Sequence, residues 1–388
     1  MNIAEYLIFE NLFLETPIYQ VALYGLLIVA LIVQLCYYLS VFRGATRCSK
    51  SQDKPIVQQP ISIVIYAKNE AQSLDAHLPF FLEQNYPHFE VIVVNDSSTD
   101  NTEELLSNLK LKYPHLHYSN IEFNEKFKHD RKLGIIVGMK AAQNDTVIFT
   151  DADCVPFDKH WLATMQASFT DEKDFVIGHC NYEKLNKWMR CDAIYTALFS
   201  IHAARRGKPI KATFKNLGLR KKTFFANNGF AYINHLPNSE ETLFVSRNTN
   251  AKNTVVAAFP NSIISSTQRL KFHQWWKERV TQSALFALNK RSHIVSHIEM
   301  ISRVAYYIAA VALLACAYVE HSALIIAMVA PFVLLRWILQ LGLFSRIKKA
   351  WRGHGMVLSL FFYDRLSPWL ALLIALCCPN LHKNKSAI

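Results

Sequence analysis

Between Ile61 and Asp153 the chain alternates short apolar runs with longer stretches of helical spacing. Ile61-Ser-Ile-Val-Ile-Tyr66, Glu90-Val-Ile-Val-Val-Asn95 and Thr146-Val-Ile-Phe-Thr150 are nearly continuous β-branched runs, the pattern of strands covered on both faces in a parallel sheet. Apolar positions recurring every three or four residues predict helices over roughly 71–83, 100–112 and 130–143. Ser98 or Thr99 ahead of Glu103 resembles a helix-capping arrangement. Strand, crossover helix and strand in this order imply an α/β architecture, a doubly wound Rossmann-like sheet of the nucleotide-binding kind. Past residue 170 the pattern weakens to short strand signals at 175–178, 225–233 and 255–259. Residues 268–288 then read as a basic amphipathic helix, with Phe272, Trp275 and Trp276 beside Lys271, Lys277 and Arg279 at headgroup depth.

Long apolar runs flank this region. Residues 18–42 are uncharged and long enough to cross a bilayer. They are too long for a signal-peptide core, and Glu5, Glu10 and Glu15 stand where a basic leader belongs, so they read as an uncleaved anchor. Two further runs, 304–323 and 324–344, meet at Glu320-His321-Ser322, which looks like a tight hairpin turn. Another begins near Val357, but Asp364, Arg365 and Pro368 interrupt it, so 356–363 can lie in the interface with a short span after it; four spans and three plus a re-entrant segment both fit. The chain thus divides into a tail (1–17), an anchor (18–42), an α/β domain (58–267), an interface-helix region (268–300), two or three spans (304–378) and a second tail (379–388).

Charge sets the orientation. Arg43, Arg47, Lys50 and Lys54 follow the first span, and Arg346, Lys348, Lys349 and Arg352 follow the third, which places the central region on the cytoplasmic side of an inner or plasma membrane. The net charge of +12 is explained by basic residues meeting anionic lipid. It is spread along the chain without a base-reading motif, so no nucleic-acid partner is expected. The eight cysteines show no metal-ligand spacing and read as small hydrophobes in membrane runs or a reducing cytoplasm.

Chemistry concentrates at the strand ends, where open α/β sheets bind ligands. Asp151 and Asp153, one residue apart, present hard oxygens suited to Mg²⁺ or Mn²⁺ on a diphosphate. Acidic pairs at such positions also arise as loop solubility or helix caps. Tyr66-Ala-Lys-Asn69-Glu70 and Asn95-Asp96 end the first two strands; Asp96 suits a ribose or base contact, whereas Asp100 suits a helix cap. In the cluster 126–132, His129, Arg131 or Lys132 can meet phosphate oxygens or form a solvated helix face.

Taken in order, Ile61 to Glu70, Glu90 to Asp100 and Thr150-Asp-Ala-Asp153 resemble the inverting, family-two glycosyltransferases of the GT-A fold, particularly the membrane-anchored members, over about 58–290. The resemblance implies that Asp96 contacts the nucleotide base or ribose and that Asn69 and Glu70, with Tyr66, line the same pocket. It implies that Asp153 ligates the metal, with Asp151 turned to ribose or donor sugar. A UDP-sugar is favoured as donor, and a lipid-linked or envelope glycan as acceptor. The family carries an acidic pair downstream as general base; here Ser239-Glu240-Glu241-Thr-Leu-Phe244 offers Glu240 or Glu241. Processive members carry Gln-x-x-Arg-Trp, whereas this chain has Trp275-Trp276-Lys-Glu-Arg279; Arg279 still suits the diphosphate and the Trp pair the acceptor, and transfer of one or a few sugars is expected. The alternatives are a silent sugar-nucleotide binder, a processive synthase and a transporter; the last fits poorly, since charged intramembrane residues are confined to Arg336, Asp364 and Arg365.

Overall fold

The computed structural model describes residues 17–42, 59–125, 130–288, 293–352 and 356–377. Glu5, Glu10 and Glu15, the flank Arg43, Arg47, Lys50 and Lys54, and Cys48, Lys126, Lys128, His129 and Cys378 lie outside the described residues.

Helix α1 (Ile18–Tyr37) continues as a π-helical turn, Tyr38–Phe42. Strands β1 (Ile61–Ala67), β2 (Phe89–Asp96), β3 (Leu116–Ile121) and β4 (Thr146–Asp151) are parallel and stand in the order β3-β2-β1-β4. They are joined by α2 (Ala71–Leu82), α3 (Thr102–Lys112) and α4 (Arg131–Ala141). The period of two sends alternate side chains to opposite layers. Ile63 and Ile65 pack with Leu74, Leu78 and Phe81, while Val64, Ile92 and Val94 pack with Ile135 and Met139. Pairing of Tyr66 with Asp151 brings the first and fourth strand ends level, which is what assembles the site.

Strands β5 (Cys154–Pro156), β6 (Phe175–Gly178), β7 (Cys180–Tyr182), β8 (Leu217–Arg220), β9 (Thr254–Ala257) and β10 (Ile264–Ser266) follow. β8 runs antiparallel to β4 and carries β6 and β9 beyond it, completing a seven-stranded sheet, while β10 pairs with β5 and β7 in a small second sheet. Helices α5 (Trp161–Gln166), α6 (Lys187–Arg205), α7 (Lys221–Ala226) and α8 (Val245–Asn248) fill the intervals, and α9 (Phe272–Leu288) leads to α10 (His293–Val319), α11 (Ala323–Ala350) and α12 (Val357–Cys377).

Several local expectations need correction. The segment 225–233 is not a strand: Asn228 and Gly229 take φ of 56° and 52°, which extended pairing excludes, and its aromatic residues instead join a cluster of Phe214, Phe224, Phe230 and Phe244. Helix α3 has Asn101 at its N-cap without a side-chain cap bond; Asp100, one residue earlier, accepts at Oδ1 from Thr102 N at 3.2 Å, while Ser98 and Thr99 turn towards Asn69. Residues 356–363 do not end in a break, since α12 runs unbroken through Asp364, Arg365 and Pro368. It does so because Asp364 is neutralised by Arg336 at 3.0 Å and Arg303 at 3.3 Å and accepts from Tyr38, Tyr195 and Gln340 at 2.6–2.7 Å. Arg336 therefore packs inside the bundle.

Among the described residues, four helical segments are long and apolar enough to cross a membrane: Ile18–Phe42, His297–Val319, Ala323–Ala350 and Val357–Ile374. The turn at 320–322 is present, with His321 at φ 49° and Ser322 N donating to Ala317 O at 3.0 Å. The bundle meets the sheet at Trp351, whose indole lies 4.0 Å from the His179 ring and whose carbonyl accepts from Asn181 Nδ2 at 2.6 Å. The six described cysteines are free.

Candidate active site

The loops after β1 and β2 are stitched together. Asn69, at φ 55°, donates its backbone N–H to Ser98 Oγ at 2.9 Å and accepts at Oδ1 from Thr99 N at 2.7 Å. Its short amide tolerates the left-handed conformation that the turn needs. Tyr66 donates to Asp96 Oδ2 at 2.8 Å and Lys68 Nζ lies 3.4 Å from the same oxygen, so Asp96 is fully buried beneath them. The Tyr66 ring packs against α4 because Gly134 leaves room; a Cβ there would stand 2.3 Å from Tyr66 Cδ2. Glu70 is half-buried, and burial together with the like charges of Asp153 and Asp151 raises its pKa.

At the end of β4 three carboxylates interleave with three cations. Arg131, on the first turn of α4, donates to Asp151 Oδ1 at 2.7 Å and lies 3.5 Å from Glu241 Oε1. Lys215 Nζ lies 3.1 Å from Asp151 Oδ2 and donates to both oxygens of Asp153, at 2.7 and 2.8 Å. Lys211 Nζ lies 3.4 Å from Glu241 Oε2. Ser266, at the end of β10, donates to Asp153 Oδ2 at 2.7 Å. Burial opposes the charge on Asp153, but Lys215 and the hydrogen bonds of Lys215, Ser266 and Cys154 hold its carboxyl below the usual range. Burial likewise opposes the charge on Lys215, and the carboxylates around it hold the ammonium well above its ordinary pKa.

This arrangement does not match the donor set expected for a divalent metal. Every oxygen of the Asp151–Asp153 pair already has a protein cation against it.

The two glutamates of the π-helical turn Glu240–Phe244 have different surroundings. Glu240 is 4% exposed, its Oε2 has no hydrogen-bond partner among the described residues, and burial raises its pKa. Glu241 lines an open cleft together with Lys211, Thr213, Trp275, Glu278 and Arg279. Burial alone would raise its pKa, but Lys211, Arg131 and the donors Thr213 Oγ1 (3.0 Å) and Phe214 N (3.1 Å) bring it below the usual range, so it is a carboxylate at neutral pH.

Other expected site residues lie elsewhere. Lys132 is buried with Nζ donating to Leu236 O at 2.8 Å and paired with Asp130, so it is not among the groups facing the Asp151–Asp153 pair. Trp275 and Arg279 do not lie at the surface as an interfacial stripe: both turn inward to Asp192, at 3.2 and 3.0 Å, and form one wall of the cleft. Trp276 packs beside them on Phe272. Sequence reasoning missed Lys211, Thr213, Lys215 and Ser266, which come from a stretch without periodic pattern; the only signal was a pair of lysines in an otherwise apolar approach to β8.

Residues 62–229, under half of the chain, match the family described as Glycosyl transferase family 2. This unit is a family 2 glycosyl transferase domain. The chain is similar to an uncharacterized glycosyltransferase of Rickettsia conorii, 30% identical over 145 residues, which are 36% of this chain and 22% of that protein. It is also similar to a poly-beta-1,6-N-acetyl-D-glucosamine synthase of Staphylococcus epidermidis, 30% identical over 95 residues, 24% of this chain and 22% of that one. The chain thus spans only about a fifth of the length of the curated relatives it matches. In fold it is like a mannosyltransferase of Pyrobaculum calidifontis solved in complex with GDP-Man and Mn²⁺, with a TM-score of 0.51 at 15% identity, covering 90% of this chain and 98% of that one. The α/β unit with its flanking apolar helices is therefore of the GT-A type.

Proposed function

We propose that the chain is a membrane-held transferase that moves a sugar from a nucleoside-diphosphate sugar to a hydroxyl of a lipid-linked or cell-envelope glycan, one or a few sugars at a time. The observation that carries this reading is the placement of Glu241, which is joined through Arg131 to the strand-end carboxylates on one side and lines the cleft on the other. A donor at the strand ends and an acceptor in the cleft would meet across it.

In this mechanism Glu241 takes the proton of the acceptor hydroxyl, whose oxygen forms a bond to the anomeric carbon from the face opposite the leaving group. The bond from that carbon to the diphosphate oxygen breaks, its electron pair leaves with the nucleoside diphosphate, and the configuration inverts. Arg131 and its basic neighbours offset the charge that develops there. Glu240 has no such access and acts as packing. Leu185, Met189 and Trp275 give the cleft an apolar wall, against which Leu370 of α12 packs, which suits an acceptor with a lipid portion. Arg346, Lys348, Lys349 and Arg352 at the end of α11 favour a cytoplasmic catalytic unit at the plasma or inner membrane.

The test is a panel of UDP- and GDP-sugars, UDP-sugars first, given to the purified chain in lipid nanodiscs with bacterial lipid extract. One donor should release its nucleoside diphosphate and label the lipid fraction with sugar. Absence of both from every donor, with folded protein, defeats the proposal.

A further inference from the structure

We infer that Lys215 is a built-in cation standing where a divalent metal was expected, so that this domain binds a nucleoside diphosphate without a metal ion. The inference rests on the sugar-nucleotide reading given above and concerns how the same site holds its donor.

Three observations carry it. The first is position: the ammonium is shared between Asp151 and Asp153, within 3.1 Å of three of their four oxygens, while Arg131 holds the fourth. A metal bonded to both carboxylates at about 2.1 Å would occupy the same space.

The second is rigidity. Lys215 lies on the 3₁₀ turn Phe214–Asn216, capped by Thr213, and is 7% exposed. Its neighbour Asn216 donates to His179 O at 2.9 Å and Ser262 O at 2.8 Å and accepts from Trp161 Nε1 at 3.3 Å. Gly178 presses on that side chain so closely that a Cβ would stand 2.4 Å from Asn216 Cγ. The turn is tied to three separate elements, so the lysine stem starts from a fixed point.

The third is charge. Asp151, Asp153 and Glu241 are matched by Arg131, Lys211 and Lys215, and an ion entering the pair would displace a buried ammonium from its counterions. A buried charge stripped of its partner is strongly destabilising. A diphosphate, by contrast, leaves the ammonium in place: it exchanges for the longest of the three contacts, the 3.1 Å approach to Asp151 Oδ2, and binds the lysine as a point charge. Lys215 and Arg131 would then face the leaving group together.

The experiment uses the full chain in nanodiscs, stripped with EDTA. Mn²⁺ uptake without nucleotide is read by electron paramagnetic resonance, and binding of UDP and GDP is read by calorimetry in EDTA and in Mn²⁺. The wild type should take up no Mn²⁺ at the pair, and one of the two nucleotides should bind with affinity unchanged by Mn²⁺ within about threefold. Lys215→Met should lose about tenfold in metal-free nucleotide affinity, the loss of one charge-assisted contact, and Lys215→Arg should retain it. One equivalent of Mn²⁺ bound by the wild type, lost in Asp153→Asn and required for nucleotide binding, overturns the inference and leaves the proposed function standing. If neither nucleotide binds the folded wild type in either condition, the proposed function falls and takes this inference with it. The wild-type measurements decide the matter even if Lys215→Met does not fold.

Discussion

Asp364 in the helical bundle and Glu241 at the sheet each face two basic side chains, but the two carboxylates live in different solvents. Asp364 is sealed at 0% exposure with its oxygens taken by Arg303, Arg336, Tyr38, Tyr195 and Gln340. Glu241 keeps 16% of its side chain open to the cleft, and its ion pairs are longer, at 3.4 and 3.5 Å. Saturation within a closed bundle makes a charge architectural, whereas a looser pairing beside a cavity leaves it able to exchange partners. The residue types alone do not distinguish the two; burial and the completeness of the hydrogen-bond shell do.

The contrast can be broken most forcibly at the sealed site. Asp364→Ala strands Arg303 and Arg336 without their common counterion, and the bundle should lose about 3 to 5 kcal/mol in a detergent-unfolding titration. A loss below about 1 kcal/mol would show that the shell is not closed. At the open site the signs reverse. Glu241→Gln should leave unfolding nearly unchanged while lowering the transfer rate by about 10² to 10⁴-fold, with donor affinity kept. Transfer at the wild-type rate would remove Glu241 from its role and return attention to Glu240.

The smallest effect belongs to the joint between the two regions. His179 is buried against Trp351, and burial lowers its pKa to about 4. The unfolded chain takes up this proton near pH 6.5 and the folded one only near 4, so the contribution of His179 is complete above pH 6.5 and is lost as pH falls through that window. The slope attributable to one such group is at most about 1.4 kcal/mol per pH unit. Stability profiles of the wild type and His179→Gln should therefore converge between pH 6.5 and 4; parallel profiles contradict the assignment.

How much of this was legible in sequence follows from the range of the interactions. Strands β1, β2 and β4 announce themselves because a parallel strand buried on both faces must be apolar at nearly every position, and the spans do so because lipid demands the same. Asp151, Asp153 and Arg131 were found because they sit at the ends of those elements. Lys215 was not, since its partner Asp153 lies 62 residues earlier and nothing periodic links them. The segment around Phe230 was misjudged for a related reason: aromatic composition signals burial, and only the positive φ of Asn228 and Gly229 says that the burial is in a cluster and not in a sheet. Whether the apolar helix α12 continues through Asp364 was left open in sequence because the counterions of that residue come from α10 and α11.

Asp192 ties three elements together: it accepts from Trp275 Nε1 and pairs with Arg279 on α9, and accepts from Tyr363 on α12 at 2.7 Å, while itself belonging to α6. Cutting the chain before α12 would thus do more than shorten the apolar bundle by one helix. It would take the Tyr363 hydroxyl away from Asp192, and the wall built from Trp275 and Arg279 would lose one of the ties that hold it in place.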